Sequence, residues 1–571
     1  MSATTTECDL LVIGTGAAGL TAAVTAAKLG LRVLIVEGEA EYGGTSATSA
    51  GVLWIPCNHH SLRLSAASGK PDNMEDVRRY LAREVGDWGN QARLDAFLTA
   101  GPEMVRFLER ETQVEFNPMK YPDYHANEPG GHTMRSLIAV NYQASKLGTA
   151  LPQLRNQLPQ TMFLGLAIGS TLEMKAFMNA GRSFKAMSIV LRKLAGHFRD
   201  LLIYRRSKHL VRGCALIGRL MRSVLDLKIP YWLSSPAKDL IVSNGRVAGA
   251  IVQTEEGSVE VRAARGVVLA CGGYARDEAR RLATYPYHAA GAFHASTTSL
   301  GNRGDGVRMG EQVGGAFDVK VSQVGIWMPV SVIPGHKGPE GVWPHLVDRQ
   351  KPGFISVTRN GKRFTNESAS YHEFVPDLVR ACEGEKETYC WLIGDARAVR
   401  HWGIGVVRPW PVPKGRHLRS GYLKRADSLA ELARICGIDM DGLAATVARF
   451  NRFAGTGVDE DFGRGSLIYD HYQGDDEVSP NPCLGKLEKG PFFAVKVLAG
   501  EIGTYAGLAT DEHSRVLAAN GSPISGLYAA GNDQASVFGG SYPGAGATIG
   551  PGMVFGYLAG RHAASSSHTA E

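Results

Sequence analysis

The stretch Asp9-Leu-Leu-Val-Ile13-Gly14-Thr15-Gly16-Ala17-Ala18-Gly19 decides the fold of this 571-residue chain. Its first half predicts a buried parallel strand, and its glycines follow at once in the spacing GxGxxG. Residues 20–29 then predict a helix, and residues 32–36 predict a second strand that ends at Glu37. Such glycines permit a tight turn and a close approach to a pyrophosphate, while the acid accepts a hydrogen bond from a ribose hydroxyl. The unit therefore predicts a dinucleotide site; the competing interpretation is a glycine-rich turn in an unrelated α/β protein.

Motifs further along the chain extend this nucleotide site. Gly43-Gly44-Thr45-Ser46 and the later Gly51 are typical of FAD rather than NAD binding, because the chain must follow the pyrophosphate towards a flavin. Residues 266–273 predict a return to the parallel sheet, and residues 526–532 predict the closing strand of an FAD domain. The positions predicted to bind FAD are Gly14, Gly16, Ala17, Ala18, Gly19, Glu37, Gly38, Gly44, Thr45, Ser46, Gly51, Val242, Ala270, Gly272, Gly531, Asn532, Thr548 and Ile549.

A second glycine-rich stretch, residues 539–552, lies near the C-terminus. It contains six glycines in fourteen residues, and Tyr542 is its only phenolic side chain. An apolar, helix-like run follows at residues 553–559. Glycines let backbone N–H groups approach a ligand, and a helix N-terminus stabilises negative charge. We therefore expect this stretch to stabilise a negative charge close to Tyr542.

The composition excludes several classes of protein. With 44% hydrophobic and 20% charged residues, the chain can bury a large core. Its eight cysteines are scattered without a CxxC pair or a His/Cys cluster, so we expect neither a disulfide framework nor a metal site. The first ten residues contain no Lys or Arg, and no apolar run reaches the about 18–20 residues of a membrane-spanning helix. We therefore expect a cytoplasmic protein without a secretory signal.

The net charge of +7 is concentrated in one segment. Residues 171–212 contain ten Lys or Arg and two acidic residues, and residues 155–229 interleave such charges with Met, Leu, Ile and Phe at helix-like spacing. One interpretation is a solvated helical insertion. The other is an interfacial helix whose apolar face enters the headgroup region at the inner face of the cytoplasmic membrane, while its cations meet anionic lipid. Nucleic acid is not an expected partner, because no recognition module accompanies the charge.

The order of the motifs predicts an interrupted nucleotide-binding domain. Residues 1–320 are assigned to the first part of an α/β, Rossmann-like FAD-binding domain, which carries the basic, apolar helical insertion at about 155–229. Residues 321–488 contain strand-like pieces, aromatic residues and prolines, and are assigned to an α+β substrate (catalytic) domain. Residues 489–571 are assigned to the second part of the FAD-binding domain.

Several motifs together resemble the 3-ketosteroid Δ1-dehydrogenases (3-oxosteroid 1-dehydrogenases), within the fumarate-reductase-like flavoprotein superfamily. They are residues 43–56, Lys362-Arg-Phe-Thr-Asn-Glu367, residues 447–465, and residues 526–551 with Tyr542-Pro-Gly-Ala-Gly546. The last segment discriminates, because the N-terminal motif occurs in many flavoproteins. The resemblance implies that FAD is bound non-covalently, at the interface between an FAD-binding domain and an inserted substrate domain.

The resemblance also implies a site for the 1,2-desaturation of 3-keto-4-ene steroids, in steroid degradation. Tyr542 and the Gly546 N–H would bind the C3 carbonyl oxygen, and Tyr371 would take the C2 proton. Tyr124 would lie beside Tyr371 and lower its pKa or relay the proton, although Tyr121 is close enough in sequence to be an alternative. The C1 hydride would pass to flavin N5, and an external acceptor such as a quinone would reoxidise the flavin.

The sequence leaves two alternatives open. A related flavin oxidoreductase could be a 3-ketosteroid 4-dehydrogenase or a fumarate reductase, and the latter would need Arg and His clamps, for which Arg363, Arg400 and His401 are candidates. A membrane-bound flavoprotein that serves as a binding or scaffold module would instead use the basic helices as its main functional surface. Tyr505, two residues before Gly507, departs from the family pattern, as does the basic insertion.

Overall fold

The computed structural model describes residues 4–169, 173, 176–177, 179–181, 183–204, 207–286 and 295–565. The strands are β1 Thr4–Ile13, β2 Val33–Val36, β3 Val52–Trp54, β4 Phe116–Pro118, β5 Ser136–Ala139, β6 Tyr142–Gln143, β7 His209–Leu210, β8 Tyr231–Trp232, β9 Ala237–Ser243, β10 Arg246–Thr254, β11 Gly257–Leu269, β12 Ala295–Ser296, β13 Phe317–Asp318, β14 Gly325–Val332, β15 Val342–Pro344, β16 Phe354–Val357, β17 Tyr389–Gly394, β18 Lys424–Ala426, β19 Phe492–Thr504, β20 Gly507–Leu508, β21 Arg515–Leu517 and β22 Pro523–Ala529. The α-helices are α1 Ala17–Lys28, α2 Gly44–Thr48, α3 His59–Ala67, α4 Met74–Val85, α5 Gln91–Glu111, α6 Phe184–Tyr204, α7 Arg212–Asp226, α8 Glu278–Thr284, α9 Asp305–Gln312, α10 Tyr371–Ala381, α11 Ala396–Trp402, α12 Gly415–Arg419, α13 Leu429–Cys436, α14 Met440–Thr456, α15 Ile468–Gln473 and α16 Ile549–Ser565.

An eight-stranded sheet forms the nucleotide-binding part of the molecule. Its order is β21-β22-β11-β1-β2-β8, and β10 and β9 extend it from β11. β1 pairs in parallel with both β2 and β11, as the strand–helix–strand pattern predicts. Successive side chains of β1 face opposite sides, so Leu10 and Val12 pack with α1 and α16, while Leu11 and Ile13 pack with α9. The predicted Rossmann-like α/β architecture is confirmed.

The last helix, α16, approaches α1 very closely. A Cβ atom at Gly556 would lie 2.3 Å from the Ala18 carbonyl oxygen, and one at Gly560 would lie 2.7 Å from the Ala22 carbonyl oxygen. No side chain fits at either distance, so glycine is required at both positions. Because the two helices run side by side in the same direction, both N-termini lie at one end of the parallel sheet.

A seven-stranded, mostly antiparallel sheet forms the second part, and it confirms the predicted α+β layer. Its order is β15-β14-β19-β17-β16, and β12 and β18 also pair with β19. The sequence pattern assigned residues from 489 onwards to the FAD-binding domain, but β19 hydrogen-bonds to β14 and β17 in this second sheet. The sheet therefore extends to Thr504, beyond the predicted boundary at 488.

The segment 155–229 is not one helical insertion. α7 is buried along most of its length and contacts α1 and α2, so it belongs to the core of the nucleotide-binding part. α6 has a different environment, since Phe184, Leu202 and Ile203 are 98%, 86% and 62% exposed. No helix within the described ranges is both long and apolar enough to cross a membrane.

Candidate active site

The turn between β1 and α1 is shaped to receive a ligand. Gly14 has φ +112°, and a Cβ atom there would lie 2.1 Å from the carbonyl oxygen of Ala270, just after β11. Gly16 is open, since the one atom near its Cβ position is Ser46 Oγ at 3.6 Å. Gly19 serves helix–strand packing, because its Cβ would lie 2.1 Å from the Gly14 carbonyl oxygen. The first N–H groups of α1 can therefore meet a phosphate directly.

Glu37, at the end of β2, holds its carboxylate in a fixed orientation. Thr15 donates to Oε2 through its backbone N at 3.0 Å and its hydroxyl at 2.5 Å, and Glu39 N donates to Oε1 at 3.1 Å. An ionised carboxylate has about four acceptor sites, so lone pairs remain for a ribose hydroxyl. The structure thus fits the role predicted for this acid.

The loop that carries Thr45 and Ser46 joins the turn to the middle of the cavity. Ser46 Oγ accepts a hydrogen bond from Ala17 N at 3.1 Å, which places it at the N-terminus of α1. Thr45 Oγ1 accepts from Ser299 N at 3.0 Å and lies 3.4 Å from Asn302 Nδ2. Ser299 and Asn302 also line the cavity, and no local motif in the sequence marks them.

Asp533 ties together the two segments that close the nucleotide site. Its carboxylate accepts hydrogen bonds from Cys271 N and, at 2.9 Å, from Gly273 N. It thereby holds the segment after β11 beside residues 531–533. Burial raises the pKa of Asp533 to about 6.

A continuous cavity of about 2080 Å³ runs along these elements. The predicted FAD positions that line it are Gly14, Gly16, Ala17, Ala18, Glu37, Gly38, Gly44, Thr45, Ser46, Gly51, Ala270, Gly272, Gly531, Asn532, Thr548 and Ile549. Gly19 lies behind the wall in its packing role. The prediction for Val242 is wrong, because this residue is 53% exposed near the far end of β9 and does not line the cavity. The strand reaches the cavity at its first residues, Ala237 and Lys238.

The three predicted tyrosines meet in the wall of the same cavity. Ring centroids are 5.4 Å apart for Tyr371 and Tyr542, 5.5 Å for Tyr124 and Tyr542, and 5.8 Å for Tyr124 and Tyr371. Each ring is at most 7% exposed. Tyr124, rather than Tyr121, therefore lies beside Tyr371, as expected.

Backbone contacts to the loop 540–543 explain why side chains from distant segments converge. Tyr124 N donates to the Pro543 carbonyl at 3.1 Å, which sets its ring next to Tyr542. His372 Nε2 donates to the Gly540 carbonyl at 2.9 Å, which holds the start of α10, and hence Tyr371, against the loop. Burial lowers the pKa of His372 to about 4, so this imidazole is neutral and adds no charge to the cluster.

Gly546 presents its N–H towards the hydroxyl of Tyr542. It has φ +96°, and a Cβ atom there would lie 2.6 Å from backbone atoms of Val52, Leu53 and Trp54. Trp54 N donates to the Gly546 carbonyl at 3.1 Å and holds Gly546 against β3. Burial raises the pKa of Tyr542, whereas hydrogen bonds from Tyr371, Thr548 and the Gly546 N–H lower it.

Burial is also the largest influence on the predicted base. It raises the pKa of Tyr371 well above the ordinary value, and the neighbouring Tyr542 raises it further. A hydrogen bond from Tyr124 acts in the opposite direction and lowers the pKa of Tyr371. The direction expected for Tyr124 thus agrees with the structure, but burial outweighs it.

Comparison with known proteins identifies the family. The family model of the FAD binding domain matches residues 9–549. The 3-oxosteroid 1-dehydrogenase of Mycobacterium tuberculosis is 36% identical over 99% of this chain and 99% of its own. The crystal structure of 3-ketosteroid Δ1-dehydrogenase from Sterolibacterium denitrificans, in complex with 1,4-androstadiene-3,17-dione, matches with a TM-score of 0.90 at 33% identity, and the match covers 99% of this chain and 100% of that one. This chain belongs to the 3-oxosteroid 1-dehydrogenase family.

Membership of this family establishes FAD as the cofactor and places the chain among the FAD oxidoreductases that act on CH–CH bonds. Another similar relative has a different named substrate. The 4-oxocyclohex-2-ene-1-carboxylate 5-dehydrogenase of Sinomonas cyclohexanicum is 40% identical over 98% of this chain and 94% of its own.

The tyrosine cluster is larger than the sequence predicted. Tyr469 on α15 lies 4.7 Å from Tyr124, centroid to centroid, and lines the cavity. Tyr121 also lines the cavity; its ring lies 6.2 Å from that of Tyr469, and its hydroxyl accepts a hydrogen bond from Gln473 Nε2 at 2.6 Å. Tyr505 packs 6.2 Å from Tyr542 but does not line the cavity. No sequence motif marks Tyr469, because its approach to Tyr124 depends on how the two parts of the fold meet.

The candidate dicarboxylate clamp does not assemble. Arg363 donates to both oxygens of Glu367, at 2.8 and 2.6 Å, and to both oxygens of Asp459, at 3.0 and 2.9 Å. Arg400 stacks over the Trp410 ring, and His401 stacks on Trp402. Arg363 is thus part of a buried ion-pair network rather than a ligand of substrate.

One His/Glu group forms that the sequence pattern did not anticipate. His59 Nε2 and His60 Nε2 lie 3.1 and 2.7 Å from different oxygens of Glu109, in a geometry that could hold a metal ion. None of the three residues lines the cavity, so the group has no part in the site described above.

Proposed function

We propose that this protein desaturates the C1–C2 bond of 3-keto-4-ene steroids, in steroid degradation. The observation that carries the proposal is the convergence of Tyr542, the Gly546 N–H and Tyr371 on one wall of the cavity that the predicted FAD-binding positions line. Two donors beside a tyrosine hydroxyl form the set that an α-proton abstraction next to a ketone requires. Similarity to the 3-oxosteroid 1-dehydrogenases supports the choice of a steroid.

The residues divide the work of breaking two C–H bonds. The Tyr542 hydroxyl and the Gly546 N–H donate to the C3 oxygen, where negative charge develops as C2–H breaks. The Tyr371 oxygen accepts the C2 proton, and the Tyr124 hydroxyl stabilises the phenolate form of Tyr371. When bound, FAD supplies the two-electron acceptor for the C1 hydrogen and its electron pair. One proton and one hydride leave, and a C1=C2 double bond remains.

Anaerobic mixing with a 3-keto-4-ene steroid tests this function directly. We expect loss of the oxidised-flavin absorbance and a 1,4-diene product, whereas a 3-ketosteroid 4-dehydrogenase would reduce flavin with 4,5-dihydro steroids. Failure of every 3-keto-4-ene steroid to bleach the flavin would remove the proposal. Fumarate reduction by dye-reduced enzyme would favour the reductase alternative instead. Steady steroid turnover would exclude a role as binding or scaffold module alone.

Tyr542→Phe tests the proposed hydrogen bond from the Tyr542 hydroxyl to the C3 oxygen. Loss of one oxyanion donor lowers kcat by about 10²–10³-fold, and we expect that loss here. Tyr505→Phe is the matched control, because it removes another buried phenol 6.2 Å from Tyr542 that does not line the cavity. Near-normal turnover of Tyr542→Phe would contradict the assigned role.

We also propose a peripheral membrane contact through α6. One side of this helix lines the cavity with Met187, Val190 and Leu194, while Phe184, Leu202 and Ile203 are exposed. Lys185, Arg192 and Arg199 accompany these exposed apolar side chains on the same helix. Such a helix gains from burying apolar area in the headgroup region and from attraction to anionic lipid at the inner face of the cytoplasmic membrane. A lipid-soluble quinone would then be the external acceptor, since it shares the bilayer with the docked enzyme.

Vesicle co-sedimentation tests this contact. We expect the protein to pellet with phosphatidylglycerol vesicles more than with phosphatidylcholine vesicles, and Leu202→Asp to reduce pelleting at least tenfold. Val458→Asp is the control, because Val458 is a similarly exposed apolar residue, at 61%, on a different part of the surface. Equal pelleting of both variants would contradict the proposal. Reoxidation of the reduced flavin by a short-chain quinone tests the acceptor separately.

A further inference from the structure

Arg212 and Arg408 line the cavity close to apolar side chains. Arg212 begins α7 and stands against Gly51, whose Cβ would lie 2.4 Å from the Arg212 carbonyl carbon. Arg408 lies on the segment after α11. Both line the same cavity as the tyrosine cluster, together with apolar residues that include Phe163, Trp343 and Trp410. Neither arginine has a part in the chemistry described above.

The backbone at Arg212 is unusual for this residue type. Its φ is +54°, in the left-handed region that residues other than Gly and Asn rarely adopt. Non-glycine residues held in this region cluster at functional sites, because the surrounding structure must stabilise them there. The next residue explains part of the local geometry, since a Cβ at Gly213 would lie 2.1 Å from the Ser46 carbonyl oxygen. Arg212 thus lies against the loop formed by residues 43–51, which leads from the β1–α1 turn towards the tyrosine cluster.

Both guanidinium groups lie in surroundings that disfavour their charge. Burial lowers the pKa of Arg212, and among the described residues Glu173 is the one carboxylate that stabilises its charge. Glu173 is already shared, because it accepts from Gly169 N at 2.9 Å and from Lys193 Nζ. Burial lowers the pKa of Arg408 to about 10, and the charges of Arg416 and Arg212 lower it further. Because Glu173 is the one described carboxylate that acts on the charge of either guanidinium, the pair would attract an anion.

Arg408 is held so that its guanidinium can serve such an anion. Its Nη2 donates to the carbonyl oxygens of Gln160 and, at 3.0 Å, of Met162, and the group lies 5.2 Å over the Trp343 ring. These contacts leave Nε and Nη1 without a described hydrogen bond, and neutral carbonyls do not balance the charge. An anchored guanidinium with spare donors fits a carboxylate, which accepts two parallel hydrogen bonds.

We propose that the substrate of this enzyme carries a carboxylate in addition to the ketone, and that Arg212 and Arg408 bind it. This inference rests on the proposed ketone dehydrogenation, and it specifies the substrate as a cyclic ketone that also carries a carboxylate. A steroid with an acidic side chain and a smaller oxocyclohexene carboxylate share this chemistry. Similarity to a relative whose named substrate is an oxocyclohexene carboxylate is in line with an acidic substrate.

Acid and ester pairs separate the charge from the shape of the substrate. One pair is a 3-oxo-4-ene steroid whose C17 side chain ends in a carboxylate, with its methyl ester. The other pair is 4-oxocyclohex-2-ene-1-carboxylate with its methyl ester. We expect kcat/KM to favour the acid over its ester at least tenfold in one of the two pairs, and the pair that shows the preference identifies the size of the substrate.

Substitution of the arginines connects that preference to the site. Arg212→Met and Arg408→Met should each reduce the acid-to-ester ratio at least fivefold, mainly through KM for the acid. Arg416→Met is the control: Arg416 also acts on the charge of Arg408 but does not line the cavity, so its ratio should match that of the wild type. Titration of the oxidised holoenzyme with each acid and ester, monitored by the change in the flavin spectrum, gives the acid-to-ester ratio of affinities without turnover.

The outcomes distinguish the two levels of the proposal. Flavin reduction by 3-keto-4-ene steroids with equal kcat/KM for acids and esters would overturn the carboxylate site and leave the proposed function standing. Loss of FAD from Arg212→Met would also overturn it, because the guanidinium would then serve the cofactor. If no ketone reduces the flavin, the dehydrogenase proposal fails, and an acid preference in the binding titration that Arg212→Met abolishes would still support the arginine site.

Discussion

Replacing Gly546 by alanine tests the position of the peptide that is expected to bind the ketone oxygen. Two separate effects follow from the structure. The backbone at φ +96° is a left-handed conformation, which costs about 1–2 kcal/mol for a residue with a Cβ. The new Cβ would also lie 2.6 Å from three backbone atoms of β3, which cannot rotate away as a flexible side chain would. The loop must therefore move, and the Gly546 N–H must move with it.

Displacement of this N–H removes one oxyanion donor, so we expect kcat to fall by about 10²–10³-fold while FAD stays bound. Stopped-flow flavin reduction measures the chemical step, and the ratio of absorbance at 450 nm to that at 280 nm measures retained FAD. Gly521→Ala is the matched control, because Gly521 has φ +82° but no atom within 4 Å of its Cβ position. It should show the conformational cost alone, with normal reduction. A folded, FAD-loaded Gly546→Ala enzyme that reduces its flavin at the wild-type rate would refute the reasoning.

Three further predictions concern the base, the ion-pair network and the closing segment. Tyr371 can act as a base only when its hydroxyl is deprotonated, so flavin reduction should become faster as pH rises. Tyr124→Phe removes the hydrogen bond that lowers the pKa of Tyr371 and should move this rise in rate to higher pH. A pH series in which the rise stays at the wild-type position would contradict the role of Tyr124. Arg363→Met leaves Glu367 and Asp459 buried without their four hydrogen bonds from Arg363. Urea titrations should show the free energy of unfolding lowered by about 3–5 kcal/mol. Arg359→Met is the control, since it removes an ion pair at the surface and should cost at most about 1 kcal/mol. Asp533 has a folded-state pKa of about 6, above the unfolded value of about 3.9. Its contribution to stability is therefore full at low pH and is lost as pH rises between these values, so the melting temperature of Asp533→Asn relative to wild type should increase from pH 4 to pH 6.5. A difference in melting temperature that stays constant over this range would contradict the raised pKa.

The parts of the fold that depend on neighbouring residues could be predicted from the sequence. The turn at Gly14 and the acid at Glu37 lie within one strand–helix–strand unit, so their geometry follows from local spacing. Tyr542 and Gly546 are four residues apart in one loop, and their convergence needs no distant partner. The positions along 43–51 and 531–549 that were expected to line the cofactor cavity also do so, because each follows a strand or precedes a helix of the same sheet.

The errors concern residues whose environment is set by distant parts of the chain. The basic, apolar pattern around Arg219 resembled an exposed helix, but Arg219 is buried and donates to the Val140 and Gln113 carbonyls, at 2.8 and 2.6 Å. A long, polar-ended side chain can thus satisfy loop carbonyls inside a core, which hydropathy patterns do not reveal. The strand pattern of residues 492–504 likewise cannot show which of two sheets it will join.

The same burial that hinders the expected base strengthens the expected ketone grip. Excluding water raises the pKa of Tyr371, which makes the phenolate less available at neutral pH. It also lowers the local dielectric, so hydrogen bonds from Tyr542 and Gly546 to a developing enolate are worth more than in water. A raised pKa also makes the Tyr371 phenolate a stronger base, so the driving force for taking the C2 proton increases further as the enolate is stabilised. A ketone whose oxygen does not reach Tyr542 and Gly546 would form an enolate without this stabilisation, so selectivity for the reacting ring arises from the proton-transfer step itself.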